Sequence, residues 1–314
     1  MSYFIFYYTP LHYACLNGSL ECAQYLLQNG ADPNALSETN GHIPLYLAAY
    51  SGNARLMNAL FDYNANLDTK NTTSKHSPLL QALKRKKIEC LDVLLRRGFK
   101  PTTSSRDGNL SPLMQAIVVG LFDAVEPLLA QGADANYTNA SGNCALYLAI
   151  RQNKEETVQL LLDNGADPKF PGPTGINAVH AACATGNLNM LKMLIDAGAD
   201  RYAKTQKGQN AAFSALQAPQ EKMIEILTYL YDDLGFDINA TEQDGKTTIL
   251  LEILADSKKL TPEVAKFLLS RGANIYAKAM NDRTAFEMVM TQFGTPEIKA
   301  IFKETAEKLN KSNK

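Results

Sequence analysis

The chain has 314 residues, 46% of them apolar and 20% charged, with a net charge of −1. That balance belongs to a folded chain rather than a disordered one, and no stretch approaches the ~18 consecutive apolar residues that a membrane-spanning helix needs. The opening MSYFIFYY is apolar, but it has no basic n-region and is too short for a secretory signal, so the expected compartment is the cytosol, with the nucleus as the alternative.

The chain repeats itself. Pro10, Pro44, Pro78 and Pro112 stand 34 residues apart, and Ala145, Ala178 and Ala211 then hold the same slot at intervals of 33. A fixed period of this length marks a solenoid, in which each unit buries its apolar face only against its neighbours. Such an array has no central pocket, so its function is sought on a surface.

From the N-terminus, residues 2–8 (Tyr3, Phe4, Ile5, Phe6, Tyr7 and Tyr8 among them) predict a segment covering the first unit, although a missing earlier unit or a partner would use the same residues. Each period then divides in one way. A glycine turn such as Asn40-Gly41 or Ser141-Gly142 suits a tight hairpin, because glycine accepts positive φ. Thr/Ser-Pro follows as a helix start, the hydroxyl capping and the proline occupying the first turn. An inner helix rich in Ala and Leu (Leu45, Leu47, Ala48, Ala49) ends at Gly18, Gly52, Gly120 or Gly186. An outer helix with apolar residues at helical spacing (Leu188, Leu191, Leu194, Ile195) completes the unit.

These residues carry a resemblance. TPLHYA (9–14) with NGADPN (29–34), then GHIPLYLAAYSGN (41–53), SPLMQAIVVG (111–120), NCALYLAIRQN (143–153) and GINAVHAACATGN (175–187), together with QGADAN, NGADPK, AGADRY and RGANIY, resemble the ankyrin repeat. The resemblance implies an all-α ankyrin-repeat solenoid of helix-turn-helix units joined by β-hairpin-like loops. The units fall at approximately 4–36, 37–70, 71–104, 105–137, 138–170, 171–203, 204–240 and 241–277, with a C-terminal cap at 278–309 and a flexible tail at 310–314. It also implies that His12 and His180 hydrogen-bond their own turns, and that Asn34 or Asn136 is open to asparagine hydroxylation.

The five cysteines follow the repeat phase: Cys15 and Cys183 share one slot, Cys22 and Cys90 another, and Cys144 stands where Thr is usual. Without a CxxC pair or zinc spacing they read as small buried hydrophobes. His42 and His76 lie in hairpin turns with no neighbour at ligand spacing.

Local failures of the pattern point to function or capping. Segment 70–106 holds Lys70, Lys75, Lys84, Arg85, Lys86, Lys87, Arg96, Arg97, Lys100 and Arg106 against Glu89 and Asp92, a balance of +8. Lys84, Arg85 and Lys86 replace the usual end of the inner helix. Further on, the spacing Gly198–Gly235–Gly272 widens to 37 residues, and the extra residues are placed in loops near Pro219 and around 257–262. The last helix, from Pro296, sets Ile298, Ile301 and Phe302 against Lys299, Lys303, Glu304 and Lys308, as an end cap requires.

No phosphate loop, Ser/His/Asp constellation or HExxH appears, so the expectation is a non-enzyme with no cofactor and no metal. The functional expectation is a monomeric protein-interaction scaffold or adaptor. Its partner is a protein held in the concave groove, with an acidic or phosphorylated segment at Lys84–Lys87. Nucleic acid is disfavoured by the overall charge. The alternative is the targeting or regulatory portion of a larger enzyme, channel or pathogen effector. By resemblance the groove is lined by Thr39, Asn40, His42, Tyr50, Ser51, Ser74, His76, Lys84, Arg85, Lys86, Asp107, Val118, Ser141, Asn143, Arg151, Gln152, Lys207 and Gln209. Tyr50 beside the basic cluster reads as the anchor, since aromatic and Arg residues dominate binding hot spots.

Overall fold

The computed structural model describes residues 8–38, 40–66, 77–101, 110–170, 172–243, 245–256 and 258–312. These form eighteen α-helices, and the β pairing among them is limited to two isolated bridges, Thr241 with Thr248 and Lys278 with Thr284. The chain divides into two compact units, residues 1–149 with 160–166 and residues 150–159 with 167–314. The division passes through α9 (Ala145–Arg151) and α10 (Glu155–Asp163).

In the first unit, inner helices α1 (Pro10–Leu16), α3 (Pro44–Ser51), α5 (Pro78–Lys84) and α7 (Pro112–Val119) pack side by side. They alternate with outer helices α2 (Leu20–Gln28), α4 (Ala54–Asp62), α6 (Ile88–Arg96) and α8 (Val125–Ala130). Each inner helix starts on proline, whose missing N–H is no loss in the first turn. Caps differ from copy to copy. Thr9 accepts from the His12 amide and Ser111 from that of Met114, whereas Ile43 and Ser77 make no side-chain cap bond. Cys144 does cap: its sulfur lies 3.5 Å from the Tyr147 amide. On the packed inner helices Ala48, Ala49, Ala82 and Ala116 are all fully buried, small side chains of the kind that leave room for neighbouring backbones.

Two histidines link repeats. The Thr9 amide donates to His12 Nδ1 (3.2 Å), so the proton sits on Nε2, which donates to the His42 carbonyl one repeat on (2.9 Å). His180 repeats this placement in the second unit, with Nδ1 2.7 Å from Asn177 Oδ1 and Nε2 3.2 Å from the Gln209 carbonyl. Burial pushes both imidazoles below their usual pKa. These rings therefore serve their own turn, as expected, and the next hairpin as well.

The second unit has inner helices α11 (Ala178–Thr185), α13 (Ala211–Ala215), α15 (Ile249–Ala255) and α17 (Ala285–Met288). Its outer helices are α12 (Leu188–Asp196), α14 (Gln220–Thr228), α16 (Pro262–Ser270) and α18 (Pro296–Ser312). The first lengthened unit corrects the sequence expectation. No extra loop lies at Pro219, since α14 starts nine residues after α13 starts, against ten for α11 and α12. The added residues extend α14 through a π turn, Tyr229–Asp233. The extension has a packing role: Asp232 pairs with Arg271 after α16 (2.5 Å), and the Arg271 guanidinium lies 3.9 Å over the Phe267 ring. In the next unit the extra length does enter the loop between α15 and α16. α18 lies on α16, buries Ile298 and Phe302, and continues as helix through Ser312, past the boundary expected at 309.

The cysteines divide in a way the repeat phase does not foresee. Cys15, Cys90, Cys144 and Cys183 are buried, but Cys22 is exposed. Among the described residues α2 packs on only one outer neighbour, α4, whereas α6 lies between α4 and α8 and so covers Cys90. Burial raises the Cys15 thiol to about 12 and the Cys90 thiol to about 11, so both stay protonated and inert.

Candidate functional site

The basic cluster is built on a helix end. α5 stops at Lys84, Arg85 takes the cap position, and Lys86 turns the chain at φ +55°. In the neighbouring pairs Gly18, Gly52 and Gly120 make that turn, at +69°, +81° and +74°. A Cβ in this conformation crowds the following carbonyl oxygen and costs about 1–2 kcal/mol. The third repeat therefore keeps a lysine where glycine is the relaxed choice.

From this turn the cations spread over three successive repeats. Arg85 folds back with its guanidinium carbon 3.9 Å above the Tyr50 ring. The Lys87 stem lies across Gly52, where an added Cβ would sit 2.6 Å from its Cδ and Cε. Lys86 reaches the other way, its Nζ 4.0 Å from the equivalent Cβ position of Gly120. The C-terminal ends of α3 and α7 favour nearby cations, by about 0.3–1 kcal/mol each. Lys84, Arg85 and Lys86 are exposed and Lys87 is half-buried. Among the described residues none of these four enters an ion pair. The outer helix behaves differently: Arg96 pairs with Asp92 at 2.8 Å and Arg97 with Asp62 at 3.3 Å. Among the described residues, Arg96 and Arg97 thus form a paired outer ridge, and Lys84–Lys87 form an uncompensated cluster at the inner-helix end.

The other groove residues fall into three sets. Thr39, Ser74, His76 and Asp107 lie outside the described residues. Tyr50, Val118, Ser141, Arg151 and Lys207 are exposed. Asn40, His42, Ser51, Asn143, Gln152 and Gln209 are half-buried, and most of these have internal partners. Tyr8 lies 2.5 Å from His42 Nδ1, and the His42 ring stacks on Tyr46 at 4.5 Å. Ser51 donates to the Ala48 carbonyl, the Asn143 amide donates to Asn139, and Gln209 donates to Glu242. Tyr50, Lys84, Arg85, Lys86 and Val118 come together in the first unit, while Lys207 and Gln209 belong to the second. Lys87 joins the cluster although it was absent from the groove set, and its position directly after Lys86 is the signal that pointed to it.

The outer edge holds a second regularity. Asn34 Nδ2 donates to the Asn64 carbonyl (3.1 Å), Asn136 Nδ2 to the Gly165 carbonyl (2.8 Å) and Asn239 Nδ2 to the Gly272 carbonyl (3.0 Å). The asparagine closing each GADxN or FDIN turn is therefore a stitch to the next repeat, and Asn239 belongs to the set. Among the described residues no helix is long and apolar enough to cross a membrane, and no group of three or more His, Cys, Asp or Glu is placed to hold a metal.

Comparison with known proteins bears on this architecture. A sequence model described as ankyrin repeats (3 copies) matches in overlapping placements at residues 11–105, 79–171, 146–242 and 179–279. No curated protein matches the chain by sequence. Among solved structures, the chain is similar to the human ASB11 ankyrin repeat domain at 25% identity, covering 70% of this chain and 98% of that one, with a TM-score of 0.58. It is similar to the ankyrin repeat domain of Bcl-3, a member of the IkappaB family, at 27% identity with the same coverages and a TM-score of 0.58. An ankyrin repeat domain from Acinetobacter baumannii matches at 28% identity over 61% of this chain and 98% of its own, with a TM-score of 0.56. Period, capped helix pairs, glycine turns and a family match over most of the length agree: the chain belongs to the ankyrin repeat family.

Proposed function

We propose that this chain is an adaptor or scaffold that holds a partner protein against its inner-helix ends and hairpins, and that an acidic segment of the partner docks on Lys84–Lys87. Ankyrin repeats are in general protein–protein interaction modules, so the family supports the coarse reading. One observation carries the finer one: four neighbouring cations that have no acidic partner among the described residues, one of them on a strained turn that glycine would relax. Uncompensated charge of one sign speeds encounter with an oppositely charged segment and disfavours wrong partners. Arg85 stacked on Tyr50 supplies an anchor of the kind that dominates interfaces.

The test replaces Lys84, Arg85 and Lys86 by Glu together. Far-UV circular dichroism is expected to stay at the wild-type value, because all three side chains are exposed. Affinity capture from the source cell is expected to lose the principal partner. Undiminished capture by the folded variant would remove the cluster from the account.

A further inference from the structure

Tyr50, Lys84 and Val118 occupy one repeat slot, each 34 residues from the next, near the ends of the packed inner helices α3, α5 and α7. Tyr50 is 37% and Val118 45% exposed, although Leu45, Leu47, Leu113 and Ile117 on the same two helices are at 2% or less. Single exposed apolar residues need no explanation. Here two of them stand in register on either side of a cation cluster. Arg85 leans toward the first, and Lys86 reaches the helix end that carries the second.

Resting on the reading that Lys84–Lys87 takes an acidic segment, we propose that this row recognises a partner sequence with acidic residues at its centre and an apolar residue on each side. The apolar side chains would lie on Tyr50 and Val118, with the carboxylates between Lys84, Arg85 and Lys86. Packed helices stand about 8–10 Å apart and an extended strand advances about 3.3 Å per residue. The apolar residues therefore fall about three positions before and after the acidic centre. The Tyr50 ring holds Arg85 before binding, its guanidinium carbon 3.9 Å from the ring centroid; guanidinium N–H groups pair well with carboxylates, and a side chain already ordered loses less entropy on binding. Segment 70–106 carries +8 and the whole chain −1, so the remainder carries −9. That field opposes a long polyanion such as nucleic acid or an anionic bilayer, yet leaves room for a short acidic segment.

The experiment measures fluorescence anisotropy of the whole chain with four dye-labelled synthetic peptides. One has two Leu six positions apart with Glu-Glu at the centre between them; the second replaces both Leu by Ser; the third replaces both Glu by Gln; the fourth keeps the composition but scrambles the spacing. The first is expected to bind at least ten-fold tighter than each of the others. Tyr50→Ala with Val118→Ser should lower it to or below the level of the Ser-flanked peptide, because it removes both the apolar row and the ring that holds Arg85, while Tyr50→Phe with Val118→Ile should retain it. Both sites are exposed, and circular dichroism confirms that the variants fold. Equal binding of the Ser-flanked or scrambled peptide, or an unaffected double variant, overturns the apolar row and leaves the acidic-segment reading standing. If none of the three Glu-containing peptides binds and reversal of Lys84, Arg85 and Lys86 changes nothing in partner capture, the underlying reading fails too. Tighter binding of a single-stranded oligonucleotide or of phosphatidylserine vesicles than of the first peptide would also overturn the proposal.

Discussion

Lys86 offers a test that separates folding from binding. It sits at φ +55° at the end of α5, where three neighbouring repeats use glycine. A Cβ in that conformation costs about 1–2 kcal/mol, and glycine gives back about 0.5–1 kcal/mol because its unfolded chain is freer. Lys86→Gly should therefore be more stable than Lys86→Ala by about 0.5–1 kcal/mol. Both variants lose the ammonium group, so the comparison isolates the backbone contribution. Arrays can unfold in steps, which makes hydrogen exchange the right assay: the amides of Lys86 and Lys87 donate to the carbonyls of Leu83 and Ala82 at 3.0 and 2.9 Å. Exchange in the peptide covering 78–98 should be roughly two- to five-fold slower in the glycine variant than in the alanine one. Binding of an acidic peptide should be weakened equally in both. An alanine variant as well protected as the glycine variant would refute the strain argument.

Further predictions concern the packing. His12 and His180 have depressed pKa values from burial, so the unfolded chain binds more protons below its own pKa of about 6.5. Their contribution is complete above that pH and is lost as pH falls toward and through the folded values. The urea midpoint should drop between pH 7.5 and 5.5, by less in His12→Gln/His180→Gln, and an identical drop would remove the histidines as its cause. The carboxylates held low by hydrogen bonds, such as Glu287 at its capping box, act only at lower pH. Gly186→Ala should cost more stability than Gly198→Ala. Both take on the positive-φ penalty, but a Cβ at Gly186 also meets the Lys222 Cβ at 2.8 Å, whereas Gly198 faces open space. Equal losses in thermal melts would contradict the packing. Asn136→Ala removes the 2.8 Å bond to the Gly165 carbonyl and should cost about 0.5–1.5 kcal/mol, with faster exchange at the stitched turn as its local signature.

Much of the fold was legible because each unit repeats the same local rules. Proline at the first helical turn and glycine at positions 52, 120 and 186 act through neighbours a few residues away, and alanine on the inner helices recurs in phase at each repeat, so the sequence displays them. The candidate site was legible at Lys84–Lys86 for the complementary reason, that a run of cations breaks a pattern otherwise kept. The expected loop at Pro219 went wrong because loop insertion is the usual outcome in repeat arrays. Here the pairing of Asp232 with Arg271 and the stacking on Phe267, 39 and 35 residues further on, favour a longer helix closed by a π turn.

The sequence by itself determined the period, the helix pairs, the family and the position of the charge anomaly, all consequences of short-range chemistry repeated in phase. Tertiary structure decided which of these charges meet an acidic partner among the described residues. Arg96 pairs with Asp92 four residues back on its own helix, but Arg97 reads like Arg85 along the chain, and the neighbouring outer helix brings Asp62 to it, while the inner-helix end brings Tyr50 to Arg85 and glycine turns to Lys86 and Lys87. Neutralisation depends on what stands one repeat away in space, and for Arg97 and Arg85 that neighbour lies 35 residues back in the chain.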